Sequence, residues 1–270
     1  MPGADRIRRS GEILALLSSA VREAGALALA SFGKSPRQWR KGESSVVCET
    51  DLLVDRILRE RLGGAAPDYG WLSEETEDSP ARRAAEHVWI VDPIDGTRSY
   101  LAGKSDWVIS AALTRCGRPV AGAIFAPVSG ELFLASAGKG ATRNGIPVMV
   151  NSAPDFEGAR VAGPKRRIDW LAGIHPAVVA MPRVGSLALR LARVADGEFD
   201  IAFAGPNSHD WDLAAADLLV HEAGGAMTTL SGQPLTYNSA EPVHGALVAA
   251  GCARHAVIIA LARDRLAELG

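Results

Sequence analysis

Val-Trp-Ile-Val-Asp-Pro-Ile-Asp-Gly-Thr, residues 88–97, is an apolar, β-rich burst that stops on two carboxylates, Asp92 and Asp95. Two like charges carried into apolar surroundings are costly unless something neutralises them. A hard divalent cation does so, because Mg²⁺ takes oxygen ligands from a few carboxylates and leaves its other positions to water and phosphate. Pro93 fixes φ and stiffens the strand exit, so both side chains can be aimed at one point. Gly96 and Thr97 then open a helix whose free amides face an anion. The stretch reads as a metal-and-phosphate corner at the end of a strand.

Two more acidic clusters fit this reading. Trp71-Leu72-Ser73-Glu74-Glu75 repeats the pattern of a short apolar approach followed by carboxylates. Asp210-Trp211-Asp212 begins a helix-prone run that ends at Glu222-Ala223-Gly224-Gly225. The macrodipole at a helix N-terminus favours Asp212 as a carboxylate, available to a cation.

In combination, these elements resemble the inositol monophosphatase superfamily of Mg²⁺-dependent, lithium-sensitive phosphomonoesterases. The resemblance spans nearly the whole chain: Glu49-Thr50-Asp51, Ser73-Glu74-Glu75, Trp89 to Thr97, Gly138-Lys139-Gly140-Ala141 with Asn144-Gly145, Gly185-Ser186, and Trp211-Asp212 with Glu222 to Gly225. It implies an α/β (α+β) fold, a layered α-β-α-β-α sandwich with an antiparallel N-terminal sheet and a smaller C-terminal α/β lobe. The lobes are expected at residues 1–150 and 151–270, with the active site between them, and a homodimer is expected. The resemblance also implies that Glu74, Asp92 and the Ile94 carbonyl bind one Mg²⁺, and that Asp92, Asp95 and Asp212 bind a second. Two or three Mg²⁺ are expected per site, with Mn²⁺ substituting and Li⁺ and Ca²⁺ inhibiting. Thr97 and Asp51 would orient the attacking water as a general-base pair, while the amides of Gly96 and Thr97 hold the phosphate. Lys41, or Arg40 beside it, resembles a lysine near the metal site. Cys48 stands where relatives carry threonine.

Bulk properties agree with a soluble globular protein. A chain of 270 residues with 47% hydrophobic and 22% charged content can bury a large core. A net charge of −2 and the lack of a dense basic patch argue against nucleic acid as a partner. Cys48, Cys116 and Cys252 form no CxxC pair and read as reduced thiols of a cytoplasmic protein. Arg22 and Glu23 interrupt the alanine-rich start, so no membrane span is expected.

Periodicity predicts helices over 11–32 and 51–62, the second capped by Thr50 or Asp51, with a basic loop over 33–42 between them. Short strands at 88–91, 107–114, 120–126 and 131–136 suggest an antiparallel meander. Beyond Pro147, strands at 160–162, 181–184, 226–229 and 246–249 alternate with helices at 168–171, 186–195, 211–222 and 253–269. Gly138 and Gly140 lack a Walker ending and read as a hairpin turn. Trp211 reads as packing beneath the site.

The partner is expected to be a small phosphorylated substrate. Inositol-specific relatives carry a glutamate where this chain has Gly205, and Gly205-Pro206 resembles bacterial 3'(2'),5'-bisphosphate nucleotidases. Gly185-Ser186 with Arg190 resembles their substrate motif, the guanidinium matching a second phosphate. His209, beside Asp210, is a further candidate substrate contact. The favoured expectation is therefore a bisphosphate nucleotidase acting on 3'-phosphoadenosine 5'-phosphate. Inositol-1-phosphatase and histidinol phosphatase are the alternatives, and a non-catalytic interaction protein is the alternative of another class.

Overall fold

The computed structural model describes residues 2–41 and 45–264, with side chains from 11–40 and 46–263. In chain order, α1 (Pro2–Ser31) leads to a hairpin of β1 (Gln38–Lys41) and β2 (Ser45–Cys48), then to α2 (Glu49–Leu58). The large sheet follows: β3 (Gly70–Ser73), β4 (His87–Asp95), the short helix α3 (Thr97–Leu101), β5 (Val108–Arg115), β6 (Arg118–Ala126), β7 (Glu131–Ser136), β8 (Ala141–Arg143) and β9 (Ile146–Val148). The second half runs through β10 (Arg160–Ala162), α4 (Lys165–Ile174), β11 (Val179–Ala180), α5 (Leu187–Ala195), β12 (Ile201–Ala204), β13 (Ser208–His209) and α6 (Asp210–Glu222). It closes with β14 (Gly225–Thr229), β15 (Val243–His244), β16 (Leu247–Gly251) and α7 (Cys252–Asp264).

Period-2 alternation sorts the large sheet's side chains between two cores. From β4, Val88 and Ile90 join the core shared with α5 and α6, while Trp89 and Val91 join the one shared with α1 and α2. Both faces are covered, so the strand reads as an unbroken apolar run. α6 buries Leu213 to Ala216 and Leu218 to Val220 between the two sheets, with Asp217 buried among them and accepting Tyr237 Oη at 2.9 Å. Its other side meets the five-stranded sheet, ordered β11-β10-β12-β16-β14, whose far face packs on α4 and α7. The layers are thus α1/α2, large sheet, α5/α6, small sheet, α4/α7, the expected α-β-α-β-α sandwich.

Several local expectations are corrected. The seven-stranded sheet is mixed, because β3 pairs parallel with β4. Residues 38–41 are not loop but one arm of the β1–β2 hairpin. α2 is capped by Cys48, not Thr50 or Asp51; Asp51 is its third residue and accepts the Cys48 amide at 2.8 Å. The strand expected at 181–184 lies at β11, and β12, central to the small sheet, carried no alternation that separates it from neighbouring buried segments. The Gly11–Ser31 part of α1 is long and apolar enough to cross a membrane by composition, with a mean hydropathy of 1.6. In the fold, its Leu17, Ala20, Val21, Ala24 and Ala28 are packed against the sheet with 0% exposure. The final turns of the expected C-terminal helix, and the Lys41 side chain, lie outside the described residues.

Candidate active site

The end of β4 departs from regular pairing. Asp92 lies opposite Ser110 and Asp95 opposite Val108, three steps on one strand against two on the other. In a regular strand, residues three apart face opposite sides of the sheet. The extra residue is a bulge, and it turns both carboxylates toward one point. There, oxygens of Asp92, Asp95 and Asp212 lie within 4.8 Å of one another. Glu74 lines the same cavity, of about 590 Å³, together with Ile94, Gly96, Thr97, Gly185, His209 and Trp211.

Each carboxylate is supplied by a different element. Asp95 sits at the N-terminus of α5, where it accepts Ser186 Oγ at 2.6 Å and the amides of Leu187 and Ala188 at 3.2 and 2.5 Å. Asp212 lies in the first turn of α6 and accepts the His209 amide at 2.6 Å. That turn is clamped from behind: fully buried Asp210 accepts the Asn238 amide and contacts His244 Nε2, both at 2.7 Å. Glu74 follows β3, and its amide continues the pairing with β4 at Val91. Asp51, from α2, accepts Thr97 Oγ1 at 3.1 Å, and the same hydroxyl lies 3.0 Å from the Ile94 carbonyl.

Asp92 differs from the rest. It is 1% exposed, and its Oδ1 has no hydrogen-bond partner among the described residues. Burial pushes its carboxyl well above the usual range, and the neighbouring charges of Glu74, Asp95, Asp212 and Asp51 push it the same way. Burial, then Asp95, does likewise for Asp212, against the opposing His209 amide. Asp51 is also raised by burial, partly offset by its Cys48 and Thr97 donors. Burial and the Asp51 carboxylate push the Cys48 thiol up to about 12, so it stays protonated. An orphaned, buried oxygen ringed by carboxylates is the donor chemistry of a hard divalent cation, and these residues fit one.

Two glycines make the corner possible. Gly96 has φ +97°, and a Cβ there would meet the Asp106 carbonyl at 3.1 Å and the Ser186 amide at 3.3 Å. At Gly185 a Cβ would fall 2.0 Å from Ser99 Oγ. The Gly185 and Ser186 amides bond to Asp106 Oδ2 and its carbonyl, which seals the loop before α5 onto the corner.

The structure reassigns three residues. Ser186 is fully buried and caps α5 while holding Asp95, so it does not face the cavity. Arg190 does not line the cavity; its guanidinium donates to the Phe203 carbonyl at 3.0 Å and the Val184 carbonyl at 3.4 Å. Trp211, expected as packing, lines the cavity with its ring stacked 4.5 Å from that of His209. Arg40 is exposed on β1. Sequence reasoning missed Arg98, Lys104, Asp106 and Arg183, which also line the cavity. Arg98 follows Thr97 directly, and that adjacency was the available signal. The other three carry none, since the fold alone brings their loops together.

The inositol monophosphatase family model matches residues 10–266. The chain is 35% identical over 231 residues to an inositol-1-monophosphatase of Rhizobium meliloti (strain 1021), covering 82% of this chain and 86% of that one. It is 32% identical over 228 residues to a Nus factor SuhB of Xylella fastidiosa, covering 80% and 82%. The structure of a Thermotoga maritima IMPase superposes with a TM-score of 0.81 at 25% identity, covering 93% of this chain and 97% of that one. The named relatives are inositol monophosphatases and SuhB proteins, which moves the likeness away from bisphosphate nucleotidases.

Proposed function

We propose, from the chain's membership of the inositol monophosphatase family of metal-dependent phosphomonoesterases, that it hydrolyses a small polyol phosphate of the inositol-1-phosphate type with Mg²⁺. The observation that carries this is the buried Asp92 oxygen, unpartnered among the described residues, within the Asp92–Asp95–Asp212 cluster. Glu74, Asp92 and the Ile94 carbonyl would hold one cation, and Asp92, Asp95 and Asp212 a second. Bound Mg²⁺ supplies polarisation of the phosphoryl oxygens and a lowered pKa for the attacking water. Thr97 Oγ1 accepts a proton from that water and passes its own to Asp51, whose raised carboxyl makes it a better base. The Gly96 and Thr97 amides orient the phosphate. The water–phosphorus bond forms as the bond to the alcohol oxygen breaks, and the departing alkoxide takes up a proton from solvent.

A second reading, the nucleoside 3',5'-bisphosphate, is favoured by the cationic rim of Arg98, Lys104 and Arg183, which suits a leaving group carrying another phosphate. A phosphate-release assay with inositol 1-phosphate, 3'-phosphoadenosine 5'-phosphate and histidinol phosphate separates them. The expected result is Mg²⁺-dependent release from inositol 1-phosphate, abolished by EDTA and reduced by Li⁺. Faster turnover of the bisphosphate, slowed by Lys104→Ala with Arg183→Ala, would select the second reading. Silence on all three esters would remove both and favour a binding role.

A further inference from the structure

Asp55 plays no part in the chemistry proposed above, yet it is 8% exposed and both its oxygens are engaged. Oδ1 accepts Ser73 Oγ at 2.5 Å and Oδ2 accepts Thr76 Oγ1 at 2.7 Å. These two donors bracket Glu74 and Glu75. Ser73 Oγ also accepts the Glu75 amide at 3.3 Å, which closes the turn on itself. Asp55 is four residues after Asp51 on α2, so the two carboxylates project from one helix face a turn apart. One receives Thr97 and the other receives the Glu74 turn.

We propose that Asp55 is a positioning residue: through Ser73 and Thr76 it fixes the Glu74 turn against Asp92, so that α2 sets both the proton-accepting pair and the metal-binding glutamate. The inference rests on the metal site proposed above. The turn's backbone hydrogen bond, from the Glu74 amide to the Val91 carbonyl, is 3.4 Å long and by itself leaves the turn freedom to shift. Two charge-assisted bonds to a buried carboxylate remove that freedom before the cation arrives, so less ordering cost falls on binding.

The test is direct Mg²⁺ and Mn²⁺ binding by calorimetry without substrate, alongside the Mg²⁺ concentration that half-saturates phosphate release. Loss of an outer partner of a ligand commonly costs about 10–100-fold in metal affinity, so Asp55→Asn should weaken binding about tenfold. Thr76→Val should weaken it about threefold, and Thr76→Ser, which keeps the hydroxyl, should restore it. A purely structural role would lower the melting temperature and leave the affinity of the folded protein intact. Wild-type affinity in folded Asp55→Asn would overturn the inference while leaving the metal site standing. If Asp55→Asn fails to fold, equal affinities for Thr76→Val and Thr76→Ser overturn it. Absence of metal binding by the wild-type chain would overturn the proposed function as well.

Discussion

Asp92 and Asp200 are 1% and 3% exposed, and the protein treats them in opposite ways. Asp200 accepts Asn151 Nδ2 at 2.6 Å, the Arg160 amide and Nε at 2.7 and 3.0 Å, and Arg254 Nη1 at 3.3 Å. Burial raises its carboxyl, but these donors more than offset that and hold it below the usual range. Asp92 is equally buried and faces carboxylates instead, with one oxygen unpartnered among the described residues. A satisfied buried charge secures structure, whereas an unsatisfied one ringed by like charges marks a candidate cation site. Glu222, only half-buried, is satisfied in the same way as Asp200, since the amides of Gly138, Lys139 and Gly140 all donate to it, so the glycine-rich turn holds the protein's own carboxylate.

Removing each aspartate should break this contrast in opposite directions. Asp92→Asn should cut phosphate release by about a thousandfold, several kcal/mol of lost metal-assisted stabilisation, in a steady-state assay. In EDTA the same variant should melt higher than the wild-type chain, because a repelled carboxylate has gone. A lower melting temperature would show that Asp92 also supports the fold.

Asp200→Ala leaves partly exposed Arg160 and buried Arg254 without their shared partner, and breaking a buried ion pair such as Arg254–Asp200 costs about 3–5 kcal/mol. Urea unfolding should report that loss, with the Mg²⁺ affinity of the folded protein unmoved. An unchanged midpoint would mean that water replaces the carboxylate without penalty.

The pH response sharpens the comparison next. Asp92 and Asp212 have raised folded pKa values, so they favour the metal-free fold at low pH, and that contribution is lost as pH rises through those values. Asp200 has the opposite sign: its contribution is present above the unfolded carboxylate range and lost as pH falls through its lowered value. Mg²⁺ should therefore raise the melting temperature more at pH 8 than at pH 5, and Asp92→Asn should shrink that difference. Equal Mg²⁺ shifts at both pH values would contradict the arrangement.

The smallest effect is expected at Ser186, which serves both roles by capping α5 and donating to Asp95. Ser186→Ala should cost about 1 kcal/mol in stability for the lost cap, read by urea unfolding. A measurable loss of Mg²⁺ affinity should accompany it, and stability loss alone would make Ser186 a cap and nothing more.

The carboxylates of this corner were legible one at a time. Asp92 and Asp95 end an apolar strand, Asp212 opens a helix, and Glu74 follows a short strand, because backbone periodicity and local cost are written in neighbouring residues. The layered fold was legible for the same reason, through strands of period 2 and helices of period 3.6. Tertiary structure alone decided which polar residues serve the cavity and which serve the framework. Arg190, plausible as a phosphate ligand from its place after Gly185-Ser186, spends its donors on the Phe203 and Val184 carbonyls. Asp106 and Asp55, silent in the sequence, tie together segments 79 and 18 residues apart. A side chain's partners depend on how distant segments pack, and neither composition nor spacing carries that information.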